Sequence, residues 1–134
     1  MAGASPFLGV IGATVVVEVM TMTNQVKLEG RVSRAPEEKV LPSGDSVWVV
    51  RVVVPRDATA PSSGRPGRPT VDWVDCAVWG RRLRRTVATW GEGDQVAVEG
   101  ALRRRFYRTP GGAPSSLVEV EAAAVRVIRR AGPA

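Results

Sequence analysis

Valine-rich segments in which apolar and polar residues alternate constrain the fold of this chain more than any other feature. In the first segment, Val26, Leu28 and Val32 alternate with polar and charged residues, which is the two-residue period of a half-buried strand. Gly30 replaces a side chain on the apolar face, which often marks a bend or a close approach of backbones. We predict five strands, over residues 24–34, 46–54, 70–79, 94–107 and 116–128.

A helix is predicted between the third and fourth strands, over about residues 80–90. Leu83, Val87 and Trp90 recur at the spacing of one helical face, and Gly91 follows as an end signal. Three strands, one helix and two strands is the element order of the oligonucleotide-binding (OB) barrel. The predicted fold class is therefore all-β: a five-stranded OB barrel with one helix between strands 3 and 4.

We expect one domain at residues 24–129, followed by a short tail at 130–134. Residues 1–23 form an N-terminal extension that is either disordered or an extra edge strand. Its apolar stretch is shorter than the roughly 20 residues that a membrane-spanning helix needs, and no basic residue precedes it. We therefore expect a cytoplasmic protein without a membrane partner. Pro, Gly and Ser dominate residues 55–69, which predicts a long loop that also carries Arg56, Arg65 and Arg68.

Composition excludes several function classes. The 134 residues include no His and one Cys, so imidazole-based catalysis, an internal disulfide and a His/Cys metal site are excluded, and we expect no cofactor. Lys and Arg number 19 against 13 Asp and Glu, for a net charge of +6, and all but two of the basic residues are Arg. Such a balance indicates affinity for polyanions, although a basic surface can also serve solubility alone.

Side-chain direction in the third strand separates a core face from an outer face. Asp75 is costly to bury without a partner, so we predict that its face is exposed. Trp73 and Trp79 share that face. The predicted core face holds Val74, Cys76 and Val78.

The fourth strand alternates in the same way. Arg103, Arg105 and Tyr107 are predicted to point outward. Arg104 has the parity of the core, so it lies at a strand end or beyond a bulge, or the predicted register has already changed before it. The predicted core residues are Val96, Val98, Leu102 and Phe106.

In the fifth strand, Val118 and Val120 are predicted inside, and Glu119 and Glu121 outside. Val125 and Val127 have odd numbers, whereas Val118 and Val120 have even ones, so a regular strand cannot point all four inward. We therefore expect a bulge within residues 122–124, as the corners of a barrel require.

The outer face combines aromatic rings with arginines, which suits unpaired nucleobases. Trp73, Trp79 and Tyr107 can stack bases at ~1–3 kcal/mol each, while Arg103 and Arg105 follow phosphates. Duplex DNA hides its base faces, so this surface predicts a single-stranded ligand. Two alternatives stay open: the rings cover a hydrophobic seam or a subunit interface, and the GRRLRR run is a groove-reading helix or a solvated face.

Five strings together resemble the bacterial single-stranded DNA-binding protein family. They are NQVKLEGRV, LPSGDSV, DWVDCAVWG, GDQVAVEGALRRRFY and VEVEAAAV. The resemblance implies an OB barrel that binds single-stranded DNA without strong sequence preference, in DNA replication, recombination and repair. It also implies a homotetramer and no enzymatic activity.

The resemblance places Trp73, Trp79 and Tyr107 at stacking positions of the family. Arg103 and Arg105 fall on basic positions in the same strand as Tyr107. We expect these two arginines, together with Arg51 and Arg81, to neutralise phosphate.

Two departures from the family pattern affect these expectations. Where the family often has one more Trp, near Ala58, this chain has no aromatic, so that stacking site is missing or is supplied by Trp48. The chain also ends in RRAGPA without an acidic tip, so recruitment of replication or repair enzymes is not expected. Two rival functions remain, an OB barrel that binds RNA and a protein-interaction module that regulates a larger single-strand binder.

Overall fold

A computed structural model describes most of the chain from Met22 onward. The described residues are 22–57, 59, 61, 66–67 and 69–132. The predicted N-terminal extension therefore lies outside them, apart from Met22 and Thr23, as do Ala58, Arg65 and Arg68 of the predicted loop.

The described residues form six strands and one helix. The strands are β1 Val26–Val32, β2 Glu37–Val40, β3 Ser46–Pro55, β4 Val71–Val78, β5 Gln95–Arg108 and β6 Pro114–Arg129, and the helix is α1 Arg81–Val87.

Five of the strands close into a barrel. In the order β1-β5-β6-β4-β3 each strand pairs with the next, and β1 returns to pair with β3. All pairings are antiparallel except that of β4 with β6. The predicted five-stranded barrel, with one helix between its third and fourth strands, is confirmed.

The additional strand, β2, lies between the first two predicted strands, in a segment for which we predict neither a strand nor a helix. It pairs with the first half of β3, and all four of its residues are exposed. Three of them are charged, so the segment has no apolar alternation to indicate a strand.

Valine side chains fill the barrel. The predicted core residues Cys76, Val78, Val96, Val98 and Val120 are fully buried. From the helical segment, Val87 and Trp90 are buried and Leu83 packs against the same cluster, as predicted. The remaining fully buried valines are Val32, Val50 and Val52.

Three residues predicted to be core are exposed: Leu102, Phe106 and Val118. The β1–β5 pairing ends at Gly100 and the β4–β6 pairing begins at Val120, so the residues of β5 and β6 beyond these points pair only with each other. We call residues 101–108 and 114–119 the arm. Its side chains alternate as predicted, but the inner side, which continues the core face, has no opposite wall. Arg104 lies on this inner side and is exposed for the same reason.

The outer side of the sheet, which was predicted to be exposed, also holds two buried residues. Glu119 points outward beside Asp75 and Arg103, yet it is almost fully buried. Ala77 is small and is covered by its neighbours.

The predicted bulge in β6 is confirmed. The register with β5 passes from Glu99↔Ala124 to Gly100↔Ala122, which leaves Ala123 as the extra residue. A Cβ atom at Gly100 would overlap the carbonyl oxygen of Glu121, so the two backbones can approach here only at a glycine.

Gly30 has the same role where the barrel closes. It lies opposite Val96 of β5, and the next two residues of β1 already pair with β3. A Cβ atom at Gly30 would overlap the carbonyl oxygen of Val53, so the predicted close approach is confirmed.

The last described residues are bound to the barrel through Asp94, which is buried. Its carboxylate accepts hydrogen bonds from the backbone N–H groups of Ala131 and Gly91 and from the Arg130 guanidinium. These bonds, Ala131 first, hold the pKa of Asp94 below its usual range.

Gly30→Ala is expected to lower the free energy of unfolding by about 1–3 kcal/mol, because the new methyl group forces β1 away from β3. Urea denaturation of wild type and variant measures the difference. Gly111→Ala is the control, since Gly111 has open space and no left-handed φ. Equal stability of the Gly30→Ala variant and wild type would contradict the closure argument.

Candidate nucleic-acid interface

Trp73 lies on the outer face of β4 and is 59% exposed. It is opposite Val53 in the register, and Arg51 of β3 is therefore its diagonal neighbour. The central guanidinium carbon of Arg51 lies 3.8 Å from the centroid of the Trp73 ring. One face of the indole is thus covered by a cation, and the exposed area lies on the other face and the edges.

Arg51 is held over that ring by Asp75. Its Nε donates to Oδ1 at 2.9 Å and its Nη2 donates to Oδ2 at 3.3 Å. Arg51 and Asp75 are directly opposite each other in the β3–β4 pair, so the register places the guanidinium group beside the carboxylate. The hydrogen bond to Asp75 raises the pKa of Arg51 further above neutrality.

The outer side of the arm presents Arg103, Arg105 and Tyr107 on alternate residues of β5. Arg103 Nε donates to Glu121 Oε1 at 2.7 Å, and Arg105 contacts Glu119 Oε1 at 3.4 Å. Each arginine therefore binds a glutamate diagonally across the β5–β6 pair. Tyr107 is opposite Ser115 and is 40% exposed.

The sheet register brings these two groups onto one surface. β6 lies between β4 and β5, and Ala77 pairs with Glu121, so the residues of β4 that share a face with Trp73 also share it with Glu119 and Glu121. Arg103 and Tyr107 are on that side of β5. Where β4 and β6 separate, a cleft of about 350 Å³ opens, and its walls hold Trp73 and Leu117 of the outer side together with Leu102 and Val118 of the inner side.

Trp79 and Arg81 lie at the other end of β4. Trp79 follows the strand, is 38% exposed and has the parity of Trp73, from which it is six residues away, roughly 20 Å at the rise of a strand. Arg81 is the first residue of α1 and is exposed. The structure thus groups Trp73, Arg51, Arg103, Arg105 and Tyr107, with Trp79 and Arg81 at a distance.

Trp48 does not share this surface. It pairs with Val78, whose side chain is buried, and it packs against the core from the inner side of β3. Trp48 therefore does not supply an aromatic ring to the outer face. Arg56, which directly follows β3, places its Nη2 2.8 Å from Oδ1 of Asp72. The hydrogen bonds from Arg56 lower the pKa of Asp72.

Sequence reasoning missed Phe106 as a surface residue. It is 75% exposed on the inner side of the arm, between Arg104 and Arg108. The signal in the sequence was Arg104, which alternation places on the same side as the core residues. A charged side chain on that side indicates that the core has ended before it.

The described residues offer little for other chemistry. Burial raises the pKa of the Cys76 thiol to about 12, so it stays protonated. Within the described ranges, no group of three or more His, Cys, Asp or Glu side chains could hold a metal ion. In the same part of the chain, no helix has the length and hydrophobicity needed to cross a membrane.

Comparison with solved structures identifies a similar fold. A structure described as a Plasmodium falciparum SSB complex with ssDNA superposes with a TM-score of 0.61 at 22% sequence identity. The match covers 80% of this chain and 96% of that one.

Comparison of sequences finds relatives with a common name. The single-stranded DNA-binding protein of Oceanobacillus iheyensis is 28% identical over 111 residues, which is 83% of this chain and 66% of the relative. In Bacillus subtilis, single-stranded DNA-binding protein A is 29% identical over 80% of this chain and 60% of its own length. Protein B of that organism is 30% identical, over 78% of this chain and 89% of its own length.

The match thus spans less than two thirds of the length of both the Oceanobacillus relative, at 66%, and B. subtilis protein A, at 60%. The sequence model of the single-strand binding protein family matches residues 23–128, which is nearly all of the described barrel and arm. This chain belongs to the single-strand binding protein family.

Proposed function

We propose that this protein binds single-stranded DNA without strong sequence preference. The observation that carries the proposal is the shared outer surface on which an exposed Trp73 ring and Tyr107 lie with Arg103 and Arg105. The names of the relatives support the same ligand. Stacking recognises any base because every base has a π-face, so this surface would read the presence of unpaired bases more than their identity.

Trp73 is the central stacking residue in this proposal. A base on its open face completes a layered stack of base, indole and guanidinium, since Arg51 already covers the other face. Tyr107 on the arm and Trp79 beyond the end of β4 supply further stacking positions along the strand.

Arg103, Arg105 and Arg81 are proposed to contact phosphates. The ion pair of Arg103 with Glu121 is exposed, and such pairs are worth only ~0–1 kcal/mol, so a phosphate can replace the carboxylate. Arg105 lies farther from its glutamate, at 3.4 Å. Arg51 differs, because two hydrogen bonds and a ring hold its guanidinium, and we assign it to the positioning of Trp73.

The family resemblance extends the proposal to the cell. The protein would coat exposed strands during DNA replication, recombination and repair, as a homotetramer in the cytoplasm. Proteins of this family are non-enzymatic DNA-binding proteins, and we assign no catalytic residue in this chain.

Trp73→Ala is expected to weaken binding of a labelled dT oligomer by ~1–3 kcal/mol, because one base loses its stacking partner. Fluorescence anisotropy of the labelled oligomer measures the affinity. Val71→Ala is the control, since Val71 is an exposed apolar residue of the same strand without a ring.

The same titration with duplex DNA and with RNA of equal length tests the ligand class. We expect single-stranded DNA to bind most tightly and the intrinsic Trp fluorescence of wild type to be quenched at low salt. Absence of quenching, or tighter binding of RNA, would contradict the proposal.

Replacing Arg103 is expected to reduce the salt dependence of binding. In a Glu121→Gln background, which avoids an unpaired carboxylate, Arg103→Gln should make the slope of log K against log salt shallower by about 0.7, the effect of one phosphate contact on a single strand. Arg126→Gln in the same background is the control, because Arg126 lies opposite Ala97, roughly 20 Å along β5 from Arg103. An unchanged slope would remove Arg103 from the phosphate contacts.

Arg51→Lys separates positioning from phosphate neutralisation. Lysine keeps the charge but lacks the planar fork that binds Asp75 and covers Trp73. We expect weaker dT binding with an unchanged salt slope, together with altered Trp fluorescence before DNA is added. Wild-type affinity and fluorescence would show that Arg51 acts through its charge alone.

A further inference from the structure

The inner side of the arm is a second exposed surface, opposite the one described above. Arg104, Phe106 and Arg108 alternate along it, about 7 Å apart, while Arg103, Arg105 and Tyr107 occupy the outer side. Phe106 is 75% exposed, more than any ring of the outer side.

The two sides of the arm differ in how their arginines are compensated. On the outer side, Arg103 and Arg105 bind carboxylates. On the inner side, Arg104 donates to the Ser116 hydroxyl at 3.0 Å and Arg108 donates to the Gly112 carbonyl at 2.9 Å. Among the described residues, neither of these inner arginines forms an ion pair, so the uncompensated positive charge of the arm lies with Phe106.

The cross-strand neighbours on the inner side are neutral as well. Residues opposite Arg104, Phe106 and Arg108 are Val118, Ser116 and Pro114. No acidic side chain of β5 or β6 in the arm points to this side, because Glu119 and Glu121 are on the outer side. The local charge therefore attracts an anion from solution.

We propose that the inner side of the arm is a second contact surface for the same single-stranded DNA. Phe106 stacks one base, and Arg104 and Arg108 contact the phosphates on either side of it. A strand that passes over the turn of the arm then contacts both Tyr107 and Phe106, which point to opposite sides of β5. This inference rests on the proposed function and extends its ligand path.

Charge argues against a second copy of this chain as the occupant. Two such surfaces related by a two-fold axis would bring the arginines of both copies together without an acidic partner. A polyanion that also carries flat rings can pair its negative charges with the two arginines and stack a ring on the exposed phenyl group of Phe106.

Phe106→Ala tests the stacking contact. We expect the affinity for a dT oligomer long enough to cover both sides of the arm to fall roughly five- to hundredfold. Val40→Ala is the control, since Val40 is an exposed apolar residue of β2, outside both sides of the arm, and its affinity should stay within about twofold of wild type.

The double variant Arg104→Gln/Arg108→Gln tests the phosphate contacts. The salt slope for the same oligomer should become shallower by about 1.4, twice the effect of one phosphate. Either an unchanged salt slope of this double variant or an unchanged affinity of the Phe106→Ala variant would overturn the inference.

Failure of the inference is distinguishable from failure of the proposed function. If wild type does not bind dT, the proposed function fails. If wild type binds, Trp73→Ala weakens binding and Phe106→Ala does not, only the inner surface is excluded. Sedimentation velocity of the Phe106→Ala variant completes the test, because a changed oligomeric state with unchanged dT affinity would make this side a protein interface and overturn the inference.

Discussion

Closure of the barrel depends on the close approach of two backbones at Gly30. β1 pairs with β5 up to this region and then turns to β3, and any side chain at Gly30 would meet the Val53 carbonyl group. β1 reaches only as far along β5 as Gly100. What remains of β5 and β6 therefore extends as the arm, and the surfaces that we assign to DNA are a consequence of where the barrel ends.

The arginines of this protein are sorted by their partners. Arg51 is fixed between Asp75 and Trp73, Arg103 binds the exposed Glu121 and Arg105 the buried Glu119, and Arg104 and Arg108 bind neutral oxygens. The same residue type thus serves to orient a ring, to form ion pairs and to leave charge uncompensated. Net charge alone, at +6, does not distinguish these roles.

Side-chain alternation predicted direction well and burial less well. Cys76, Val78 and Val98 are buried and Trp73 is exposed as expected, because β3, β4 and the first half of β5 form barrel walls. The bulge at Ala123 was predictable because the inward-pointing valines of this strand change from even to odd positions, and one extra residue is needed between them. Phe106 was not, since alternation gives the side to which a residue points and does not show whether a wall faces it.

Long-range register accounts for the other differences. β2 was missed because an exposed, charged edge strand has no apolar period. The contact of Arg51 with Trp73 depends on the β3–β4 pairing, which two separate strands do not reveal in sequence. The stacking and phosphate roles of Trp73, Trp79, Tyr107, Arg103, Arg105 and Arg81 stay predictions.

The arm is a two-stranded ribbon, and such a ribbon has little intrinsic resistance to twisting when no third strand supports it. Its motion relative to the barrel would be damped by any polymer lying along it, at the cost of conformational entropy. Under the proposed function, a ribbon that twists easily would follow single strands of different local curvature without a change in the barrel.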